Sequence, residues 1–395
     1  MCYRASLMRE EQRPVVFRLV LCAPELLPSD GGPPLGLHRL VFTERRPLSA
    51  HELRRLSPAA SYYRGLIGAS YDDEWGLHIW GIVQSGPRWL QEAHGGRDVA
   101  PPMPGALVVR VLGPGRLLVG QGSIVLAAAD CTRTATPLFN VFGAKWLFKR
   151  FAEVRGELME LHNRDRTERG QLWAPLDENL SRLLAQQVMK RLIATVQSAG
   201  HGGTLLLVPP SRAAEILKAN THIRFKYGFA DEEPRGRFRT LMIRIMNTLA
   251  DIGGEKSVSD PPVVSWQHYA EMHDRRLSNL DEAIFEMAHL IASLAAVDGA
   301  VVLTMRMELL GFGAEIGGSL LDVPHVARAL DVESEDFEIE PTSDVGTRHR
   351  SAFRVCNSVP EAIAIVISQD GEVRFVACKD DRVMYWVHDM ARIVR

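Results

Sequence analysis

The sequence predicts an α/β protein, with a C-terminal mixed central sheet flanked by helices and a separate N-terminal α/β region. Three observations point there. Apolar residues recur at helical spacing over 177–198 and again from Leu280 to Leu294. Short apolar runs of strand length follow both stretches, bounded by Gly or Pro. Residues 252–263 (IGGEKSVSDPPV) are rich in Gly, Ser, Asp and Pro, and read as a linker between residues 1–255 and 265–395. A chain of 395 residues also exceeds one ordinary domain.

Taken in order, the first 170 residues read mostly as strands and turns. Residues 77–83 (LHIWGIV) form an apolar run of strand length. Residues 106–112 and 116–119 flank Gly113-Pro114-Gly115, a turn between paired strands, and 123–129 give a third strand. Helix takes over at 137–162, with Leu147, Phe151, Leu158 and Leu161 among its apolar positions. The helix over 177–198 carries Leu180, Leu184, Val188, Leu192 and Val196, and stops at Gly200-His201-Gly202-Gly203. An apolar strand, 204–208, follows directly, and helices are expected at 211–218 and 240–250. In the C-terminal block Asn279 and Glu282 suit an N-cap and its partner three residues on. The stripe Leu280, Ile284, Met287, Ile291, Leu294 then runs toward Asp298-Gly299, with a buried strand at 301–304. A helix is predicted from the Gly346 motif through Val355, and strands at 363–367 and 373–377 join through Gln369-Asp370-Gly371.

Composition excludes several classes of function. Lys+Arg 46 against Asp+Glu 48 gives a formal charge of -2, so no global basic field draws the chain to nucleic acid or anionic lipid. Aromatics at 7% argue against a stacking platform for single strands. The cysteines at 2, 22, 131, 356 and 378 show no CxxC spacing, and a reducing cytoplasm is the expected home. Residues 1–11 mix both charge signs without an apolar core, unlike a signal peptide, and no run approaches a membrane span.

Two motifs carry chemistry. Gly346-Thr347-Arg348-His349-Arg350 stands at a predicted helix start, where free N–H groups and the dipole favour an anion. Arginine forks suit phosphate oxygens, and two of them straddling a histidine diverge enough to bracket a polyanion. The plainer reading is a solvated cationic helix start. Asp298-Gly299-Ala300 puts a carboxylate at a helix-to-strand turn, followed by residues small enough for a ligand to approach the backbone. Such an aspartate can hold Mg²⁺ or Mn²⁺, or simply stay in water at the turn. Residues 192–208 (LIATVQSAGHGGTLLLV) also echo 290–304 (LIASLAAVDGAVVLT). Helix-to-strand turns commonly look alike; a duplication whose first copy lacks the aspartate is the alternative.

Together, LAAVDGAVVL at 294–303 and SDVGTRHRSAFRV at 343–355 resemble the paired signatures of the diadenylate cyclase (DAC) domain family, nearest to the cyclase domain of DNA-integrity scanning proteins. The resemblance covers about 280–383. The N-terminal region resembles that of DAC-related proteins proposed as nucleotide sensors. The resemblance implies two facing domains, each holding one ATP, with each 3′-hydroxyl attacking the α-phosphorus of the opposite ATP to give cyclic di-AMP and pyrophosphate. It assigns Asp298 to the metal (Mg²⁺ or Mn²⁺) and to activation of the hydroxyl. Gly299 and Ala300 would line the nucleotide. Arg348, His349 and Arg350, with Gly346 and Thr347, would hold the phosphates, chemistry of positioning and charge stabilisation. Ser368 and Gln369 fall where active members carry a serine and then a glutamate. Gln369 is neutral and binds a cation more weakly, and Asp370 lies one position along, where a strand reverses its face.

Two functions therefore stand open: a diadenylate cyclase, or a DAC-like sensor that holds a nucleotide without cyclising it. Either predicts ATP or a related nucleotide as partner and a homo-oligomer of facing domains, with no membrane and no nucleic acid. Residues 309–318 (LLGFGAEIGG) read either as backbone amides that touch the base or as a buried strand turn, and His201-Gly202-Gly203 as a candidate second ligand contact. His78 and His222 read as satisfied or surface histidines, and the basic run 235–244 as a solvated helix face. No Ser-His-Asp constellation is discernible.

Overall fold

The computed structural model describes residues 1–28, 36–62, 64–85, 95–96, 104–122, 124–130, 139–169, 173–219, 222–229, 233–255, 262–317, 320–369 and 371–388. Asp370, Gly318 and Cys131 lie outside the described residues.

Two sheets with separate cores organise the chain. The first has seven strands in the order His38–Pro47, Gly76–Gln84, Gly65–Asp72, Phe17–Leu21, Leu107–Gly113, Arg116–Gln121, Ile124–Asp130. Its pairs are antiparallel except Phe17–Leu21 beside Gly65–Asp72. Alternation divides its apolar side chains between two faces, Phe17, Leu19, Ile67, Ile79 and Val111 on one and Val20, Leu66, Trp80, Val83 and Val108 on the other.

The second sheet has ten strands. Its order runs Ile223–Arg224, Leu309–Ile316, Ala300–Thr304, Gly203–Val208, Ile363–Ile367, Val373–Lys379, Arg382–His388, His325–Ala329, Phe337–Pro341, and Tyr227–Gly228 also pairs with Leu309–Ile316. Gly203–Val208 runs parallel to Ala300–Thr304, and His325–Ala329 parallel to Arg382–His388; the other pairs are antiparallel. The central strands are buried on both faces, as apolar runs such as Ile363–Ile367 require. One face (Leu205, Leu207, Val301, Leu303, Ile365, Phe375, Trp386) packs with helices Leu180–Ala199, Glu233–Glu255 and Arg275–Leu294. The other (Leu206, Val302, Ala364, Val366, Tyr385) takes Ala352, Phe353, Val355 and Cys356 of helix Thr347–Ser358. The result is a helix–sheet–helix sandwich. Trp386 stacks on Trp146 with ring centroids 4.3 Å apart. His388 is buried; its Nδ1 accepts the Val141 N–H at 3.2 Å, and burial pushes its pKa down to about 3.

Several expectations change. The boundary near residue 255 divides a continuous sheet: Gly203–Val208 lies between Ala300–Thr304 and Ile363–Ile367. A fully buried strand needs a partner on each edge, so the C-terminal unit reaches back before residue 203. Its reach extends to Phe139, which bridges His388. The linker begins later than residue 252, because helix Glu233–Glu255 runs on through its first residues. Helix Arg275–Leu294 starts four residues before Asn279; Asp274 is its cap and accepts the Arg276 N–H at 2.7 Å. The helix expected over 137–162 breaks into a 3₁₀ turn Val141–Gly143 and helices Lys145–Arg150 and Ala152–Arg169. Among the described residues, no helix is long and apolar enough to cross a membrane.

Candidate functional site

The two segments that echo one another in sequence are neighbours in space. Each is a long helix, Leu180–Ala199 or Arg275–Leu294, a short turn, and a strand of the second sheet. Their strands pair in parallel, with Thr204 opposite Ala300. Two residues earlier, Gly202 and Asp298 therefore approach the same end of the sheet.

In the first turn, Gly202 has φ +65°, and a Cβ there would lie 2.7 Å from the Ile367 carbonyl oxygen, 2.8 Å from Arg348 Nη1 and 3.2 Å from the Gln369 nitrogen. The missing side chain is what admits the Arg348 guanidinium. Arg348 thus reaches the sheet end from helix Thr347–Ser358, on the opposite face from the helix that feeds Gly202. His201 is half-buried and its Nδ1 is bonded to the Gly202 carbonyl, a local contact.

In the second turn, the Asp298 side chain is 95% exposed. Lys226, from the segment between Ile223–Arg224 and Tyr227–Gly228, brings its Nζ to 3.8 Å from Asp298 Oδ2 and donates to the Asp298 carbonyl at 3.4 Å. The same ammonium lies 3.4 Å from Glu315 Oε1. Close backbone packing makes this approach possible. Gly299 has φ +117°, and a Cβ on it would meet the Gly313 carbonyl carbon at 2.5 Å. Gly313 has φ +59°, and a Cβ there would meet the Lys226 Cβ at 3.3 Å. Ala300 follows as the first, buried residue of its strand, opposite Ala314.

Gly346 is the N-cap of helix Thr347–Ser358, and no side chain caps that end. The His349 and Arg350 amides bond back to the Gly346 carbonyl, which leaves the Thr347 and Arg348 N–H groups at the tip. Thr347 and Arg350 are exposed. His349 is half-buried, 6.4 Å from the Phe353 ring. Successive helical residues turn by about 100°, so Arg348 and Arg350 point apart, and it is Arg348 that abuts Gly202. Ser368 closes the turn to the next strand: its Oγ donates to the Glu372 carbonyl at 3.1 Å and accepts the Glu372 N–H at 2.9 Å. Gln369 is exposed beside it. Glu372, two positions past the undescribed Asp370, is mostly buried in an ion pair with Arg374.

This set does not fit a divalent metal held by the chain alone. Lys226 already lies against Asp298 and Glu315, the two carboxylates on hand. Among the described residues, no group of three or more His, Cys, Asp or Glu side chains gathers, and the oxygens at this turn already face the ammonium. Sequence reasoning does not find Lys226 and Glu315. The signal that points to them is the glycine pair, 299 and 313, inside motifs already singled out.

Other sequence candidates resolve locally. His78 is buried, with Nε2 3.0 Å from Ser70 Oγ and Nδ1 3.0 Å from the Gly76 carbonyl; the Asp72 carboxylate stands farther, at 3.7 Å. The basic run contributes Arg237 and Arg244 to a cleft of about 600 Å³ facing Arg276, which Asp251, Glu255 and Asp274 neutralise. A second cleft, of about 470 Å³, is lined by Lys145, Lys149, Arg150 and Lys379 with Glu333 and Glu335. Neither includes Asp298 or Arg348.

A search among curated proteins gave no match. Residues 1–84 match a family model described as a probable sensor domain, DACNV. The match ends with strand Gly76–Gln84, so it takes in four of the seven strands of the first sheet and none of the second. The first part of the chain is thus similar to a sensor domain associated with DAC proteins.

Proposed function

We propose that the chain is a nucleotide sensor: residues 1–84 and the sheet they begin form the sensing part, and the second sheet binds ATP or a related nucleotide. The supporting observation is the approach of Arg348 and Asp298 to one sheet end by separate routes. In this reading the triphosphate lies over the tip of helix Thr347–Ser358. The Thr347 and Arg348 amides donate to phosphate oxygens, and the Arg348 fork takes two more. Arg350 and His349 face other parts of the polyanion. Gly299 and Ala300, packed against the Gly313 and Ala314 backbone, hold in place the turn that the nucleoside lies against, with Ser368 and Gln369 bordering the site. The match of residues 1–84 to a sensor domain agrees with binding that is read out rather than turned over.

The second reading is the diadenylate cyclase. The exposure of Asp298 favours it, because a facing copy can reach a carboxylate that projects into solvent. It requires cyclic di-AMP and pyrophosphate from two ATP, a dimer of facing domains, and Mg²⁺ or Mn²⁺ at Asp298. Incubating the full chain with ATP and Mn²⁺, with products read by mass spectrometry, separates the two. ATP bound and recovered unchanged supports the sensor. A cyclic dinucleotide that disappears with Asp298→Asn establishes the cyclase. No ATP binding at all defeats both.

A further inference from the structure

The Asp298 turn carries a cation of its own. Three oxygens surround the Lys226 ammonium: Asp298 Oδ2 at 3.8 Å, the Asp298 carbonyl at 3.4 Å and Glu315 Oε1 at 3.4 Å. Carboxylate and carbonyl oxygens are also what a hard divalent ion takes. A metal arriving there would have to displace the ammonium or bind beside a like charge. Backbone pairing sets where this lysine side chain starts. Residues 223–224 and 227–228 pair along strand Leu309–Ile316, and Lys226 rises between them over Gly313. Lysine also suits the second half of the task. Its ammonium is a compact point charge with three donors, able to keep carboxylate contacts while turning one N–H to a phosphate.

We infer that Lys226 is the built-in counter-cation of the nucleotide site, neutralising Asp298 and Glu315 and meeting the incoming phosphates, so that nucleotide binding needs no divalent ion. This rests on the nucleotide-binding reading above. It goes further, because it gives a residue outside the recognised motifs the place a metal would otherwise take.

Two measurements on the full chain test it. In the first, Mn²⁺ alone is titrated and followed by electron paramagnetic resonance. The wild type and Lys226→Arg should leave Mn²⁺ free, whereas Lys226→Met should take up one ion, lost again when Asp298→Asn is added. In the second, ATP is titrated by calorimetry in EDTA and in Mn²⁺. The wild-type Kd should agree between the two buffers within about twofold. Lys226→Met should bind about fivefold more weakly in EDTA, the scale of one exposed charge contact, and recover in Mn²⁺. Wild-type uptake of Mn²⁺ that depends on Asp298, or ATP binding that requires Mn²⁺, overturns the role of Lys226 while leaving nucleotide binding intact. Absence of ATP binding in both buffers overturns the nucleotide reading and the inference with it.

Discussion

Strands Gly203–Val208 and Ala300–Thr304 lie side by side, run the same way and are each fed by a long helix, yet the turns leading into them receive a cation in different ways. The first turn has Gly202 and receives the Arg348 guanidinium. The second has Asp298 and receives the Lys226 ammonium. At equivalent register, one position without a side chain accepts a cation into a backbone slot, and one with a carboxylate holds a cation at the surface. The turns also end their helices differently. Gly200 caps the first in the left-handed region at φ 72°, while the second leaves its helix through Ala295 in a right-handed conformation. The likeness of the two units is thus in their frame. What they can bind is set by one residue in each and by what a third segment brings to it.

Substitutions at the two turns test this contrast, beginning with the costliest. Gly299→Ala would drive a Cβ into the Gly313 backbone at 2.5 Å from a strained φ, and should lose about 3 kcal/mol in urea unfolding. Gly202→Ala meets the Ile367 carbonyl and the movable tip of Arg348, and should lose about 2 kcal/mol. Equal losses would mean that the first turn is packed as rigidly as the second. Arg348→Gln should weaken ATP binding about tenfold by calorimetry, the worth of one charge-assisted hydrogen bond. Asp298→Asn should weaken it less than about twofold, because it frees Lys226 from its carboxylate. The reverse ranking would make the carboxylate turn the binding centre. Gly313→Ala should cost about 1 kcal/mol for its left-handed backbone. It should also let Mn²⁺ compete at Asp298 by displacing Lys226, an effect visible in the same resonance titration.

Much of this frame is legible from apolar spacing. The helices feeding both turns, the strands after them and the hairpin strands Ile363–Ile367 and Val373–Lys379 follow from periodicities of 3.6 and 2 with Gly at the joints. Strand Arg382–His388 escapes that reading, although its turn is signalled by Asp380 and Asp381, with φ 50° and 59°, a pair suited to a tight hairpin. The cap at Asp274 escapes it too, because Asn279, farther along, carries an equally good local pattern. The partners of the site residues are hidden for a different reason. Lys226 sits 72 residues from Asp298, and only strand pairing along Leu309–Ile316 brings them together. Side-chain chemistry marks which residues can act, whereas register decides which of them meet.

The central position of Gly203–Val208 bears on how the protein could be divided. A polypeptide cut at Val264 would keep both family-like motifs and lose the strand that joins them. Two apolar edges, Ala300–Thr304 and Ile363–Ile367, would face an empty groove one strand wide, inviting insertion by any extended segment nearby. Such a fragment should aggregate or swap strands rather than fold as an isolated module, and adding residues 180–208 in trans should rescue it.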